Sequence, residues 1–276
     1  MSHDELPGRR AALRHLLGLP LACAAAPAML TALTASQNER EWKPLFNGTS
    51  FDGWETFLGK PHKSSNLPGT RNEKGDYVEP IGVGRDPKGV FSIVTLDGGP
   101  AIHVTGEIYG ALTTVSELAD YHLRLDFKWG ARKWPQRGEL PRDTGCCYHA
   151  VGPHGASYGY WMQSCEFQIM EGECGHFYGL AGAMADVEVV TREDQEKPRG
   201  QWNRLDLYCA GQQSLHAVNG RPVTKLSRIR QRGAAGEPAQ PLPLQRGRIQ
   251  LQSEGTEVYF RNLSIRSIDA LPSLTA

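Results

Sequence analysis

YHLRLDFKW, residues 121–129, is the run whose reading decides the fold. Tyr121, Leu123, Leu125, Phe127 and Trp129 alternate strictly with His122, Arg124, Asp126 and Lys128. Successive side chains of a strand point to opposite faces, so the odd positions form a core face and the even positions an outer face. Working outward, the same period of two returns at 90–95, 101–104, 109–115, 143–149, 162–169, 184–191, 202–209, 247–252 and 257–267. Asn219-Gly220 lies inside the hairpin 214–225 and suits a type I′ turn. The apolar phase of the last segment shifts near Asn262, which marks a bulge. Roughly a dozen short strands and no helix in the mature chain are the pattern of an all-β, two-sheet sandwich.

The chain has 276 residues, with 30 Lys plus Arg against 30 Asp plus Glu. That balance gives no global field for nucleic acid or an anionic membrane. Arg9-Arg10 followed by an apolar run over 11–33 resembles a twin-arginine export signal. The run is too short and too rich in small residues for a membrane span. Residues 1–35 are therefore expected to be an export signal and linker, 42–267 the domain, and 268–276 a tail. An exported chain is periplasmic or on the cell surface, and Cys23 in LPLAC raises a lipoprotein anchor. Export leaves Cys146, Cys147, Cys165, Cys174 and Cys209 in an oxidising compartment. Two readings stand open: a bridge between Cys165 and Cys174, or five small buried hydrophobes.

The chemistry concentrates in WMQSCEFQIMEGECG, residues 161–175. On a strand, Glu166 and Gln168 share one face, while Phe167 and Ile169 share the other. One bulge after Gln168 would bring Glu171 to the Glu166 face. The segment 144–150 connects through a Gly-rich loop and is expected to pair with it as a hairpin. Cys147 and His149 have one parity there, so the reading places His149 across the ladder from Glu166. The loop 152–159 would wall the resulting cleft. The long Gly- and Pro-rich segment 58–89 reads as a functional loop.

WKPLFNGTSFDGW, YHLRLDFKW, DTGCCYHA, CEFQIMEGECG, GQWNRLDLYCAGQQSLHAVNGRPV and GRIQLQSEGTEVYFRNLSIRSI occur in an order that resembles the 3-keto-disaccharide hydrolase family. The resemblance covers 42–267 and implies a concanavalin-like jelly roll acting on a carbohydrate substrate. Asp143-Thr144 stands where that family often has Asn-Ser, and His149 where Arg is common. The central motif is also similar to the E-x-D-x-x-E signature of laminarinase-type β-glucanases, with Glu166, Gln168 and Glu171 in register and Gln replacing the Asp.

A ketone at carbon 3 of a sugar acidifies the carbon-2 hydrogen. A base that removes it forms an enolate, which expels the carbon-1 leaving group; water then adds. Glu166 is the expected base, with Glu171 as the alternative. His149 and His176 are expected enolate stabilisers or metal ligands, and Gln168 and Gln252 position sugar hydroxyls. Trp161 and Tyr148, with Trp54, Tyr158 and Tyr160, offer faces for sugar stacking. His149, Glu166, Glu171, Glu173 and His176 leave a divalent metal open, as does a structural calcium. Two other readings remain: a double-displacement glycoside hydrolase using two carboxylates, and a carbohydrate-binding module without turnover.

Overall fold

The alternating segments fold as strands, and no helix occurs among residues 41–232 and 240–273, which this computed structural model describes. The expected export segment, Cys23 and the last residues of the tail lie outside the described residues. In chain order the strands are β1 Lys43–Pro44, β2 Trp54–Leu58, β3 Gly82–Val83, β4 Phe91–Leu96, β5 Gly99–Val104 and β6 Gly110–Thr114. The long β7 Tyr121–Lys133 follows, then β8 Asp143–Val151, β9 Gln163–Met170, β10 Phe177–Leu180 and β11 Ala183–Val189. The last are β12 Asn203–Ala210, β13 Gln213–Val218, β14 Arg221–Gln231, β15 Leu242–Pro243, β16 Arg248–Ser253 and β17 Thr256–Ser267.

They form two antiparallel sheets packed face to face as a jelly-roll sandwich. The ten-stranded sheet runs β11-β14-β13-β12-β7-β17-β5-β4, with β1 on β17 and β15 on β14. The seven-stranded sheet runs β10-β9-β8-β16-β6-β2-β3. Tyr121, Leu123, Leu125, Phe127 and Trp129 of β7 are all buried, as their spacing requires. They meet Cys146, Tyr148, Phe167, Ile169, Ile249 and Leu251 of the other sheet in one core cluster. Each such side chain contributes about 1.5–3 kcal/mol on leaving water.

The hairpin turn at Asn219 and Gly220 has φ of 51° and 84°, the left-handed pair that a type I′ turn needs. In β17 the register shifts between Arg261 and Ser264, and Asn262 has φ of 56°, so the bulge is present. The outer face of β7 differs from a plain solvated face. His122 and Asp126 are buried there, His122 stacking on Tyr208 with ring centroids 3.9 Å apart. All five described cysteines are buried and unpaired. The bridge between Cys165 and Cys174 is not formed; both sit in the core as small apolar groups.

Candidate active site

The outer face of the seven-stranded sheet collects the acidic chemistry. On β9, Cys165, Phe167 and Ile169 pack inward, which turns Glu166 and Gln168 outward. On β8 the register Cys147↔Glu166, Gly145↔Gln168 and Asp143↔Met170 sets Asp143 on that same face. On β16, Ile249 and Leu251 point to the core, so Gln250 and Gln252 point out, and Glu254 follows just past the strand end. Gly145 sits beneath them. A methyl group there would overlap Glu166 Oε1 and Gln252 Oε1, so only glycine leaves room for both.

Three carboxyls gather on this face, and one guanidinium serves two of them. Arg137 Nη2 lies 2.7 Å from Asp143 Oδ2, and Nη1 lies 3.7 Å from Glu254 Oε1. Arg137 is itself fixed by its Nε, which donates to the Pro141 carbonyl at 2.7 Å. Burial pushes the Asp143 carboxyl up to about 7, although Arg137 pulls it back down. Glu166 has no cation beside it; burial, with the charge of Asp143, pushes it up to about 8 against a hydrogen bond from Gln252. Glu254 is raised by burial and by both of the other acids. Burial and then the Glu254 charge push the Tyr109 phenol up to about 12. Asp143 Oδ1 and Gln252 Oε1 are buried and have no hydrogen-bond partner inside the protein.

Aromatic residues and two loops flank this cluster. Tyr109 packs edge-on against Tyr160, with centroids 5.2 Å apart, and both meet Trp161. Tyr109, Tyr160, Gln136 and Lys60 line a cavity of about 370 Å³, to which the 58–89 loop adds His62 and Tyr77. The 152–159 loop folds over β2: His154 Nε2 is 2.9 Å from Glu55 Oε1 and its ring stacks on Phe57. Phe57, Tyr158 and Tyr160 line a neighbouring cavity of about 420 Å³.

Several expected residues lie elsewhere. His149 does not face Glu166. The β8 ladder shifts register between Tyr148 and Val151, and His149 takes φ of 51°, which rolls its ring into the core beside Tyr148 and Tyr121. There it is fully buried, both ring nitrogens lack partners, and burial lowers it to about 4. Tyr148 is no stacking platform either. Its hydroxyl spans the sandwich to Ser214 Oγ at 2.7 Å and His216 Nε2 at 3.0 Å. Trp161 is buried beneath Tyr109 and Tyr160, with its Nε1 donating to the Gly110 carbonyl. Trp54 belongs to the core.

Glu171 also leaves the cluster. The β8–β9 register continues to Met170 with no bulge after Gln168, so Met170 holds the position that a shift would have given Glu171. Glu171 instead binds Arg199 Nε at 2.5 Å and accepts from the Arg142 N–H at 3.0 Å, and these hydrogen bonds hold its carboxyl below the usual range against burial. Glu173 accepts from the Tyr178 hydroxyl at 2.8 Å. His176 is half-buried in the β9–β10 turn, where its carbonyl accepts from Gln168 N. Among the described residues no three His, Cys, Asp or Glu side chains are placed to hold a metal ion.

Asp143, Glu254, Arg137 and Tyr109 were not foreseen as site residues. The signal for two of them was present: Asp143 has the parity of Cys147, and Glu254 that of Gln252. Arg137 comes from the basic loop 130–141, where no periodicity fixes a direction.

The sequence profile of the 3-keto-alpha-glucoside-1,2-lyase-like domain family matches residues 41–266. A search of curated proteins returned no match. Among solved structures, a Parabacteroides distasonis protein assigned as a glycosyl hydrolase is similar with a TM-score of 0.50 at 21% identity, over 83% of this chain and 100% of its own. A second such protein from that organism gives a TM-score of 0.48 at 20% identity, over 85% and 97%. A Bacillus subtilis protein of galectin-like fold gives 0.46 at 12% identity, over 82% and 94%. At such identities the likeness concerns the fold.

Proposed function

Given that the chain belongs to the 3-keto-alpha-glucoside-1,2-lyase-like family, we propose that the Asp143–Glu166 face cleaves 3-keto-glycosides by elimination and hydration. The observation that carries this reading is the unequal treatment of two neighbouring acids. Asp143 has Arg137 at 2.7 Å and ionises first; Glu166 has no cation and keeps its proton up to about 8. Pairs of titratable groups pushed apart by their surroundings are what acid–base chemistry needs near neutral pH.

In this reading the Asp143 carboxylate removes the carbon-2 proton. The C–H electron pair forms the enolate, whose charge on the carbon-3 oxygen is offset by the Arg137 guanidinium. The enolate collapses, the bond from carbon 1 to the leaving oxygen breaks, and Glu166 supplies that oxygen with a proton. Water then adds to carbon 1 of the unsaturated ketone, giving its proton to the Glu166 carboxylate, and protonated Asp143 returns a proton to carbon 2. The products are the free 3-keto sugar and the alcohol, and both acids are restored. Gln252, fully buried, steadies Glu166 through a hydrogen bond, and the Gln168 amide orients a hydroxyl of the sugar. Glu166 thus moves from the expected base to the acid, because a carboxyl buried without a cation holds its proton at neutrality. The arginine pair and apolar run of residues 1–35 support export as part of this reading.

The test is a 3-keto-disaccharide deuterated at carbon 2, assayed beside the unoxidised disaccharide. Cleavage of the keto sugar alone, slowed by the deuterium at carbon 2 and reduced about 100-fold in Asp143→Asn and Glu166→Gln, is expected. Equal rates on both sugars defeat the elimination. Binding without turnover points to a carbohydrate-binding module.

A further inference from the structure

The opposite side of the sandwich carries a second polar surface that the chemistry at Glu166 does not use. Outward residues of β12, β7 and β17 meet in a groove of about 680 Å³. The strand register fixes its pattern: Arg204 lies opposite Asp126, which lies opposite Arg261, and Arg124 lies opposite Asp206. Two guanidiniums are tethered by their Nε edge, Arg124 donating to Asp206 Oδ1 at 3.0 Å and Arg204 to Asp126 Oδ1 at 3.3 Å. Arg261 pairs with Asp126 by charge alone, its Nε lying 3.5 Å from Oδ2 without a hydrogen bond. Two of the three planes are also held by stacking: the Arg261 guanidinium carbon lies 3.9 Å from the Trp202 ring centroid, and that of Arg124 lies 4.6 Å from Trp42.

A cross-strand ladder of this kind is often only a solvated face, in which each cation answers one anion. Here the count is unequal. Arg124, Arg204, Arg261 and Lys197 line the groove against Asp126 and Asp206, four cations to two anions. Both carboxylates are buried, while Arg204 is half exposed. The acids lie buried beneath the guanidiniums, and half-exposed Arg204 offers a planar fork of the kind that takes carboxylate or sulfate bidentately. Arg204 and Arg261 flank Asp126 from the strands on either side and so lie two strands apart, a span of about 10 Å and comparable to one disaccharide repeat of an extended glycan. The volume suits a short oligosaccharide.

The geometry points to a binding site for an acidic oligosaccharide, with carboxylate groups held by Arg204 and Arg261 and the chain lying across β7. The choice of a saccharide as the carrier of the charge rests on the carbohydrate reading above; the arginine clamp itself does not. The site would hold an acidic glycan against the enzyme without touching its chemistry.

Titration calorimetry on the full chain tests this with three ligands: an oligogalacturonate trimer, neutral maltotriose and inorganic sulfate. The trimer binds with an affinity that falls as salt rises, at least about tenfold tighter than either control. Arg204→Gln combined with Arg261→Gln weakens it about tenfold or more, whereas Glu166→Gln leaves it unchanged. Arg204→Lys, which keeps the charge but lacks the fork, gives an intermediate loss and guards against misfolding of the double variant. Equal binding of maltotriose, equal binding of sulfate, no binding of the trimer, or an undiminished affinity in a folded double variant each overturns the proposal. Loss of 3-keto-glycoside cleavage in Glu166→Gln with retained trimer binding separates this site from the catalytic one.

Discussion

Arg137 Nη2 lies 2.7 Å from Asp143 Oδ2, while Glu166, one strand away, has no cation at all. The asymmetry sets a pH profile. Activity needs Asp143 ionised and Glu166 protonated, so kcat/KM rises through about pH 7 and falls through about pH 8. A pH–rate series on a 3-keto-disaccharide checks it; a flat profile between pH 6 and 9, about one unit beyond each limb, refutes it.

Removing the guanidinium should move one limb only. In Arg137→Gln the carboxyl of Asp143 loses the charge that lowers it, and its titration rises toward that of Glu166. The acid limb shifts upward and kcat falls about 100-fold, with Arg137→Lys between. A purely structural role would lower the rate without displacing the limb.

Gly145→Ala tests the crowding on the same face. The added methyl overlaps Glu166 Oε1 and Gln252 Oε1, the far ends of two flexible side chains. Stability falls by only about 1 kcal/mol, while kcat drops much further because the acid is displaced. Thermal melts beside steady-state kinetics separate the two effects.

Tyr148→Phe should do the reverse. It strips Ser214 and His216 of a buried partner between the sheets. The cost is about 1–2 kcal/mol in urea unfolding, with kcat unchanged. A stacking role in substrate binding would instead raise KM.

Buried acids and buried histidines should act on stability in opposite senses as pH changes. Glu166 is raised in the fold, so its share of stability is full below about 4.5 and is lost as pH rises toward about 8. His149 and His216 are lowered by burial to about 4, so theirs is present above 6.5 and is lost as pH falls through that range. Unfolding free energies of Glu166→Gln and wild type from urea titrations are expected to diverge at pH 9, by on the order of a few kcal/mol, and to agree near pH 4.5. His149→Asn, which tolerates the left-handed backbone, should soften the acid loss.

The sandwich was legible because β7 and its neighbours alternate without interruption and their register follows from that alternation. The outward direction of Glu166 and Gln168 came from the same source. His149 was misplaced by one feature that period-two reasoning cannot see: an extra residue in β8 after Tyr148 reverses every later side chain. Glu171 failed in the opposite sense, since a bulge was assumed where the ladder is regular. Asp143 and Glu254 needed only the parity already assigned to Cys147 and Gln252. Arg137 was beyond reach, because its direction is set by the Pro141 carbonyl and the carboxyls it meets in the folded loop.

The five buried thiols give the folded and unfolded chains different relations to oxidants. In the fold each of these thiols is shielded and its ionisation is suppressed by burial, so reagents that attack thiolates find none of these five to react with. Once the chain opens, all five become available at once with no native pairing to return to. Unfolding in air is then a ratchet, as mispaired bridges trap the open chain, whereas the same excursion under a reductant is fully retraced.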